Sequence, residues 1–328
     1  MWQTLRKRGF SIAIIASVVM ACLWPSAFDT WGSVKLLRLI SPTIGLIMFG
    51  MGTTLSLADF VRVVKMPVGV AVGVVLQFLV MPSVGWALAT LFGFDGEIGA
   101  GIVLVGSVAG GTASNVVAYL ARANVALSVT MTCMSTLLSP FLTPLLMKVF
   151  AGRMVQVDAM AMMVGILQIV LIPVLAGSLV HWLFRAVFDA HKVVCEKILS
   201  CISSTGICFT LLVLTAQSQD KFREAGLLVF CVAVLHNTIG YLSGYWTTRL
   251  LGRLAHLDER DARTVAIEVG MQNGGMAGAL ANAVLNSPLA ALPANVFSIW
   301  MNFSGSILAS FWSSRPICCM KVSEEDLR

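Results

Sequence analysis

Glu268 is the residue whose type and position most strongly indicate chemistry in this sequence. It lies inside the apolar segment 262–285, whereas the other Asp and Glu residues fall in loops, in tails or at the edges of apolar segments. A lone carboxylate in an apolar environment is costly unless it is protonated or neutralised by a cation. Because no Lys or Arg lies deep within another apolar segment, the sequence predicts a proton or a bound metal ion as its partner.

Amide and hydroxyl side chains in other apolar segments could supply the ligands of such an ion. A hard cation needs several oxygen ligands, whereas a proton needs only the carboxylate and a path for water. Ser128 and Thr132 are four residues apart and therefore share one helix face, which Ser135 and Ser139 extend. Hydroxyls in apolar helices usually bond to their own backbone, but this row together with Glu268 favours a sodium site. The further candidates are Gln77, Ser114, Asn115, Gln272 and Asn273.

Two glycine-rich segments, 110–115 and 270–275, interrupt long apolar segments. They read Gly-Gly-Thr-Ala-Ser-Asn and Gly-Met-Gln-Asn-Gly-Gly, and such runs continue a helix poorly. The same number of positions separates Gly110 from Gly270 as separates the amides Gln77 and Asn237. One cluster alone would be explained by close helix packing. Two clusters in corresponding places predict a pair of interrupted helices, the usual sign of a transporter's binding site.

The composition indicates a chain that is embedded in a membrane. Of 328 residues, 58% are hydrophobic and only 12% are charged, with a mean hydropathy of +0.88, so polar coverage is too small for a soluble domain. This excludes a typical cytosolic enzyme, a disordered regulator and a secreted disulfide scaffold. The net charge of +6 is not gathered into a basic tract, so no nucleic-acid partner is expected.

Ten segments are long and apolar enough to cross a bilayer, which needs about 20 residues per helix. They are 10–28, 36–57, 66–91, 97–122, 125–150, 159–184, 194–217, 225–251, 262–285 and 289–313. Ten spans place both termini on the same side of the membrane, and most of the 22 Lys and Arg residues fall on that side. Because basic residues are enriched in cytoplasmic loops, this predicts cytoplasmic N- and C-termini. The first segment resembles a signal peptide, but we interpret it as an uncleaved helix.

The quoted motifs are similar to those of the bile acid:sodium symporter family, in its bacterial branch. The similarity covers essentially the whole chain and is strongest at 110–115, 126–132 and 268–273. It implies an all-α polytopic membrane protein of ten transmembrane helices in two inverted five-helix repeats, 1–155 and 156–328. It also implies a panel domain (about 10–57 and 159–217) and a core domain (about 66–150 and 225–313). Two broken helices would cross near the membrane centre.

The resemblance further implies two sodium sites and a substrate site. The residues of sodium site one would be Ser114, Asn115, Ser128, Thr132 and Glu268. Those of sodium site two would be Gln77, Glu268, Val269, Met271 and Gln272, with Val269 and Met271 contributing backbone carbonyls. Substrate would contact Thr112 and Asn273, with Asn302 a weaker candidate.

The predicted function is sodium-coupled symport of a small organic anion, bile-acid-like or pantoate-like, by alternating access. Sodium, the organic anion and the lipid bilayer are the expected partners, with no organic cofactor and no obligatory protein partner. A proton-coupled carrier or an efflux transporter of the same fold is the alternative. A membrane-embedded enzyme would need a catalytic cluster, but only His236 among the four histidines lies deep in a segment, with no acid beside it. A bacterial inner membrane is the expected location.

Overall fold

The computed structural model describes residues 13, 16–54, 66–217, 219–255 and 257–315, which are mostly helical. The predicted span 10–28, the end of 36–57 and both chain termini lie partly or wholly outside the described residues. Residues 16–23 are helical, and a short hairpin of β1 (Thr30–Trp31) and β2 (Val34–Lys35) follows them. The helices of the first half are α1 (Ile40–Gly52), α2 (Pro67–Leu91), α3 (Gly96–Ser107), α4 (Ala113–Leu120) and α5 (Val125–Ala151).

The second half of the chain has a similar series of helices. They are α6 (Ala159–Leu183), α7 (Arg185–Ala190), α8 (Lys192–Gln217), α9 (Gln219–Ala255), α10 (Glu259–Gly270), α11 (Gly274–Ala283) and α12 (Pro288–Ser313). Two of the long helices contain a π-helical turn, at Leu76–Val80 in α2 and at Leu167–Leu171 in α6. Such turns leave backbone groups outside the regular ladder and often mark functional positions.

Several helices have the length and composition of membrane spans. Within the described residues, five meet both conditions: Pro67–Leu91, Val125–Ala151, Ala159–Leu183, Lys197–Gln217 and Glu224–Gly252. Two further apolar helices, Leu36–Gly52 and Gly96–Ser107, are shorter. Large apolar side chains such as Leu79, Phe141 and Leu227 are exposed, as expected of helices that face lipid. The chain is therefore a helical membrane protein.

Both glycine-rich segments interrupt a helix, and the two interruptions meet. The backbone N–H of Gly111 donates to the carbonyl of Met271 at 2.9 Å, and the N–H of Asn273 donates to that of Ala109 at 3.0 Å. These exchanged bonds form a short antiparallel bridge between Gly110 and Gln272. A Cβ on Gly111 would lie 2.6 Å from the Gln272 carbonyl oxygen, so only glycine permits this approach.

The helices around this crossing form two sets of contacts. Helices α2, α5 and α12 pack on α3, while α9 packs closely along α10 and against α12. Helix α1 instead packs on α6 and α8. A Cβ on Gly244 of α9 would lie 2.7 Å from the Cα of Ala266, which shows how near α9 and α10 come. The crossing is thus enclosed by helices of both halves of the chain.

Candidate functional site

Glu268 is placed by the last turns of α10, directly before the second interruption. The helix starts at a capping box, in which the Asp258 side chain accepts from the Asp261 N–H and the Asp261 side chain accepts from the Asp258 N–H. Glu268 is only 3% exposed. Within the described part of the chain no Lys, Arg or His pairs with it, so its partners are hydroxyl groups.

Three hydroxyls from two other helices surround the carboxylate. Oε1 accepts hydrogen bonds from Ser114 Oγ, at 2.6 Å, and from Ser128 Oγ. Oε2 accepts one from Thr132 Oγ1 at 2.9 Å. Ser114 lies in the first turn of α4, directly after the first interruption, and Ser128 and Thr132 lie one turn apart on α5. Elements of both halves of the chain therefore meet at Glu268.

Asn115 completes this cluster. Its Oδ1 lies 2.8 Å from Ser128 Oγ and 3.5 Å from Thr132 Oγ1, the two hydroxyls that also contact Glu268. The structure thus brings together all five residues predicted for sodium site one. The cluster offers oxygen atoms alone and carries one negative charge when Glu268 is ionised, a combination that suits a hard monovalent cation.

The residues predicted for sodium site two form a neighbouring group. Gln77 Nε2 donates to Gln272 Oε1 at 2.5 Å and to the carbonyl of Val108 at 2.8 Å. In return, Gln272 Nε2 donates to Gln77 Oε1 at 3.2 Å and to the carbonyl of Val269 at 2.7 Å. The Met271 carbonyl accepts from the backbone of the first interruption, as described above. Every oxygen proposed for this site is thus engaged within the protein.

The predicted substrate contacts are distributed less closely. Thr112 is partly buried and immediately precedes α4, and Asn273 occupies the corresponding place before α11. Asn273 Oδ1 accepts from the Met276 N–H at 3.0 Å, and its Nδ2 lies 4.0 Å from the Met48 sulfur of α1. Asn302, on α12, donates to the Ser298 carbonyl one turn earlier. Thr112 and Asn273 therefore flank the crossing, whereas Asn302 bonds to its own helix.

Other metal chemistry has no ligand set in the described residues, where no group of three His, Cys, Asp or Glu side chains could hold a metal ion. His236 is buried, its Nε2 bonds the Met81 carbonyl at 2.9 Å, and its ring packs edge-on against Phe297. The contacts of this histidine are those of a packing residue.

A second polar group, around Asn237, was not predicted from the sequence. Asn237 of α9 donates to the Gly270 carbonyl at 2.7 Å and accepts from Ser304 Oγ at 2.7 Å, and Tyr241 lies 3.2 Å from that hydroxyl. Asn237 thus holds the last carbonyl of α10, as Gln77 holds the carbonyl of Val108 directly after α3. The equal spacing of the two amides was the available signal, but no sequence pattern indicated a partner for Asn237.

Arg263 is a buried basic residue near the start of α10. It lies in the second turn of this helix and is only 2% exposed. It donates to Glu259 Oε1 at 3.0 Å and to the Trp312 carbonyl at 3.1 Å. The ion pair with Glu259 and the Trp312 carbonyl near the end of α12 compensate a charge that would otherwise be costly to bury.

A turn between α4 and α5 fastens both helices to the start of α10. Asn124 Oδ1 accepts from the Leu127 N–H and caps α5, while its Nδ2 donates to Asp261 Oδ1 at 2.9 Å. The Asn124 N–H donates to Thr264 Oγ1 at 2.8 Å. Burial raises the pKa of the Asp261 carboxyl, an effect that its bond with Asn124 opposes. These contacts fix the relative positions of the three helices that carry Ser114, Ser128 and Glu268.

Comparison with known proteins shows the family to which this chain is similar. Residues 41–224 match the model of the sodium bile acid symporter family. The chain is 42% identical over 308 residues to the uncharacterized sodium-dependent transporter YocS of Bacillus subtilis, covering 93% of this chain and 91% of that protein.

Two plant proteins are also similar. The probable chloroplastic sodium/metabolite cotransporters BASS2 and BASS1 of Oryza sativa subsp. japonica are 34% and 37% identical. Each match covers 94% of this chain, with 71% and 73% of the respective relatives. All three relatives carry the names of transporters or cotransporters and not of enzymes.

Proposed function

The chain belongs to the sodium bile acid symporter family, and we propose that it carries a small organic anion across the membrane together with sodium ions. One observation carries the proposal: the carboxylate of Glu268 is buried among three hydroxyls and lacks a basic partner in the described residues. A cation bound there would remove the cost of the buried charge. Relatives named as sodium/metabolite cotransporters support sodium as that cation and a metabolite as the second cargo.

The substrate class follows from the charge at the crossing. Two sodium ions, one at each predicted site, would exceed the single charge of Glu268, and an anionic substrate would offset the surplus. Thr112 and Asn273 stand at the starts of α4 and α11, where the positive ends of the helix dipoles favour a carboxylate. We therefore expect a small carboxylate, of the bile-acid-like or pantoate-like kind, beside these two residues.

The proposed architecture has ten spans in two inverted five-helix repeats, with both termini in the cytoplasm of a bacterial inner membrane. Each half contains an interrupted helix followed by a capped long helix, α5 after Asn124 and α12 after Ser287. The matching roles of Gln77 and Asn237 also support a repeat. The set of α1, α6 and α8 would form the panel, and the helices around the crossing would form the core that moves against it.

Transport by purified protein in liposomes tests the proposal. An inward sodium gradient should drive uptake of a substrate carboxylate, whereas a pH gradient without sodium should not. Glu268→Ala should abolish sodium-driven uptake, because the ion loses its charged ligand. Uptake that follows the pH gradient alone would favour the proton-coupled alternative, and sodium-driven uptake by the Glu268→Ala variant would refute the ion site.

A further inference from the structure

The two oxygens of the Glu268 carboxylate have unequal surroundings. Oε1 accepts from Ser114 and Ser128, but Oε2 accepts only from Thr132 among the described residues. A carboxylate oxygen can accept about two hydrogen bonds. Oε2 therefore keeps acceptor capacity that Oε1 has already used.

Glu268 and Gly110 both line a cavity of about 10 Å³. Oε2 is the carboxylate oxygen on the Gly110 side, since a Cβ built on Gly110 would lie 3.1 Å from it. The polar lining of the cavity comes from Glu268, Gln77 and Ser135, on three different helices, and its remaining lining residues are Gly73, Val74, Gly110 and Met131. A volume of this size is at the lower limit for one water molecule, and a bare sodium ion is smaller. The cavity borders both groups proposed as sodium sites, since Gln77 belongs to one and Glu268 to both.

Ser135 is outside both predicted ligand sets, yet its hydroxyl oxygen has room for a cation. It accepts from the Gly110 N–H at 3.2 Å and donates to the Thr132 carbonyl at 3.1 Å. A hydroxyl oxygen has two lone pairs, so one is left after the contact with Gly110. Gln77 Oε1 likewise has one lone pair beyond its bond from Gln272.

Gly110 keeps this space open. A Cβ at this position would lie 3.1 Å from Glu268 Oε2 and 3.7 Å from Ser135 Oγ, between two of the three oxygens. Its other contacts would be at ordinary distances. An alanine would therefore occupy the cavity without removing any of the predicted ligands.

We propose that Glu268 Oε2, Ser135 Oγ and the Gln77 amide oxygen form a third cation position, through which sodium passes between the two sites. Three protein oxygens are too few for tight coordination, so the position serves transfer and not storage. This inference rests on the proposed sodium coupling. It adds a path between the two sites and gives Ser135 a direct contact with the ion.

The test compares Gly110→Ala and Ser135→Ala with Ser139→Ala in purified full-length protein. Ser139 is the matched control, because it is buried one turn further along α5 and donates to the Thr136 carbonyl of its own helix. Thermal unfolding is followed over a sodium chloride titration at constant ionic strength, with choline as the replacing cation. Sodium-activation curves of uptake provide a second readout.

We expect Gly110→Ala to raise the sodium concentration for half-maximal stabilisation about tenfold or more, a change of about 1.4 kcal/mol. Ser135→Ala should shift it in the same direction, and Ser139→Ala should match the wild type. If the cavity is only a packing void or a water site, Gly110→Ala should fill it and leave the half-maximal sodium concentration unchanged.

Superimposable titrations of wild type and Gly110→Ala would overturn the third position while leaving the proposed function intact. If Gly110→Ala does not fold, an unshifted Ser135→Ala titration would overturn it equally. A wild type that sodium fails to stabilise would overturn the proposed function and this inference together.

Discussion

Replacing Thr132 by Val tests whether the hydroxyls around Glu268 act on an ion or only on the carboxylate. The two side chains have nearly the same shape, and Thr132 is fully buried. The change removes the one described hydrogen bond to Oε2, 2.9 Å long, and leaves both bonds to Oε1. A hydrogen bond to a charged group contributes about 1.5–3 kcal/mol, so the sodium-free protein should lose about this much stability.

The sodium response should fall as well, because the ion loses an oxygen ligand. The ion-free protein also loses the hydrogen bond, so only part of the lost free energy affects sodium binding. We therefore take the lower end of the range, about 1.5 kcal/mol. This gives about a tenfold higher sodium concentration for half-maximal effect. Thr136→Val is the matched control, since Thr136 is buried one turn away and donates only to the Thr132 carbonyl of its own helix.

The assay is thermal unfolding of the purified protein with and without sodium, followed by sodium activation of uptake. Thr136→Val should lower the unfolding temperature slightly and leave the half-maximal sodium concentration unchanged. If Thr132→Val lowers stability but keeps the wild-type sodium titration, the hydroxyl serves the carboxylate alone and the assignment to site one is wrong.

Two further pairs of substitutions probe the elements around the site. Gln77→Leu and Gln272→Leu, alone and combined, should weaken sodium activation non-additively, because the two amides bond each other. A double-mutant cycle should give a coupling energy of about 0.5–3 kcal/mol. Strictly additive effects would contradict the pairing. Thr264→Val should reduce sodium affinity several-fold, because the Asn124 N–H loses its 2.8 Å acceptor and keeps only a 3.4 Å contact with the Arg260 carbonyl. Thr248→Val, which breaks a bond within α9 alone, should lower stability without moving the sodium titration. Equal titration shifts in these two variants would show that the turn at Asn124 has no positioning role.

The polar residues around Glu268 were predictable from the sequence because charged and polar side chains are unusual inside apolar segments. Glu268 is a charge in an apolar segment, and hydroxyls at a four-residue spacing must share a helix face. Arg263 was not predictable in the same way, since a basic residue near a helix start is usually exposed. Only the tertiary contact with Trp312 and the ion pair with Glu259 explain its burial.

The helix pattern shows a similar limit. Apolar segment 66–91 predicts a helix that the structure has at Pro67–Leu91, with a π-helical turn that no sequence period indicates. The segments 97–122 and 262–285 instead contain pairs of half-helices, each too short to span a membrane alone. Length and hydropathy locate such segments, but the path of the interrupted backbone depends on contacts between distant residues, as at Gly111 and Met271.

The two interruptions must respond to ligands as one unit. Their backbones exchange hydrogen bonds at Gly111 and Asn273, so neither can shift alone without leaving buried N–H and carbonyl groups unpaired. Asn273 donates one of these hydrogen bonds, and Thr112 directly follows Gly111, which donates the other. Glu268 lies two residues before the second glycine-rich segment. An ion that fixes Glu268 therefore fixes the backbone that carries the proposed substrate contacts. By linkage, a substrate bound at these contacts should strengthen sodium binding by the same factor, so that the binding of the two cargoes is coupled.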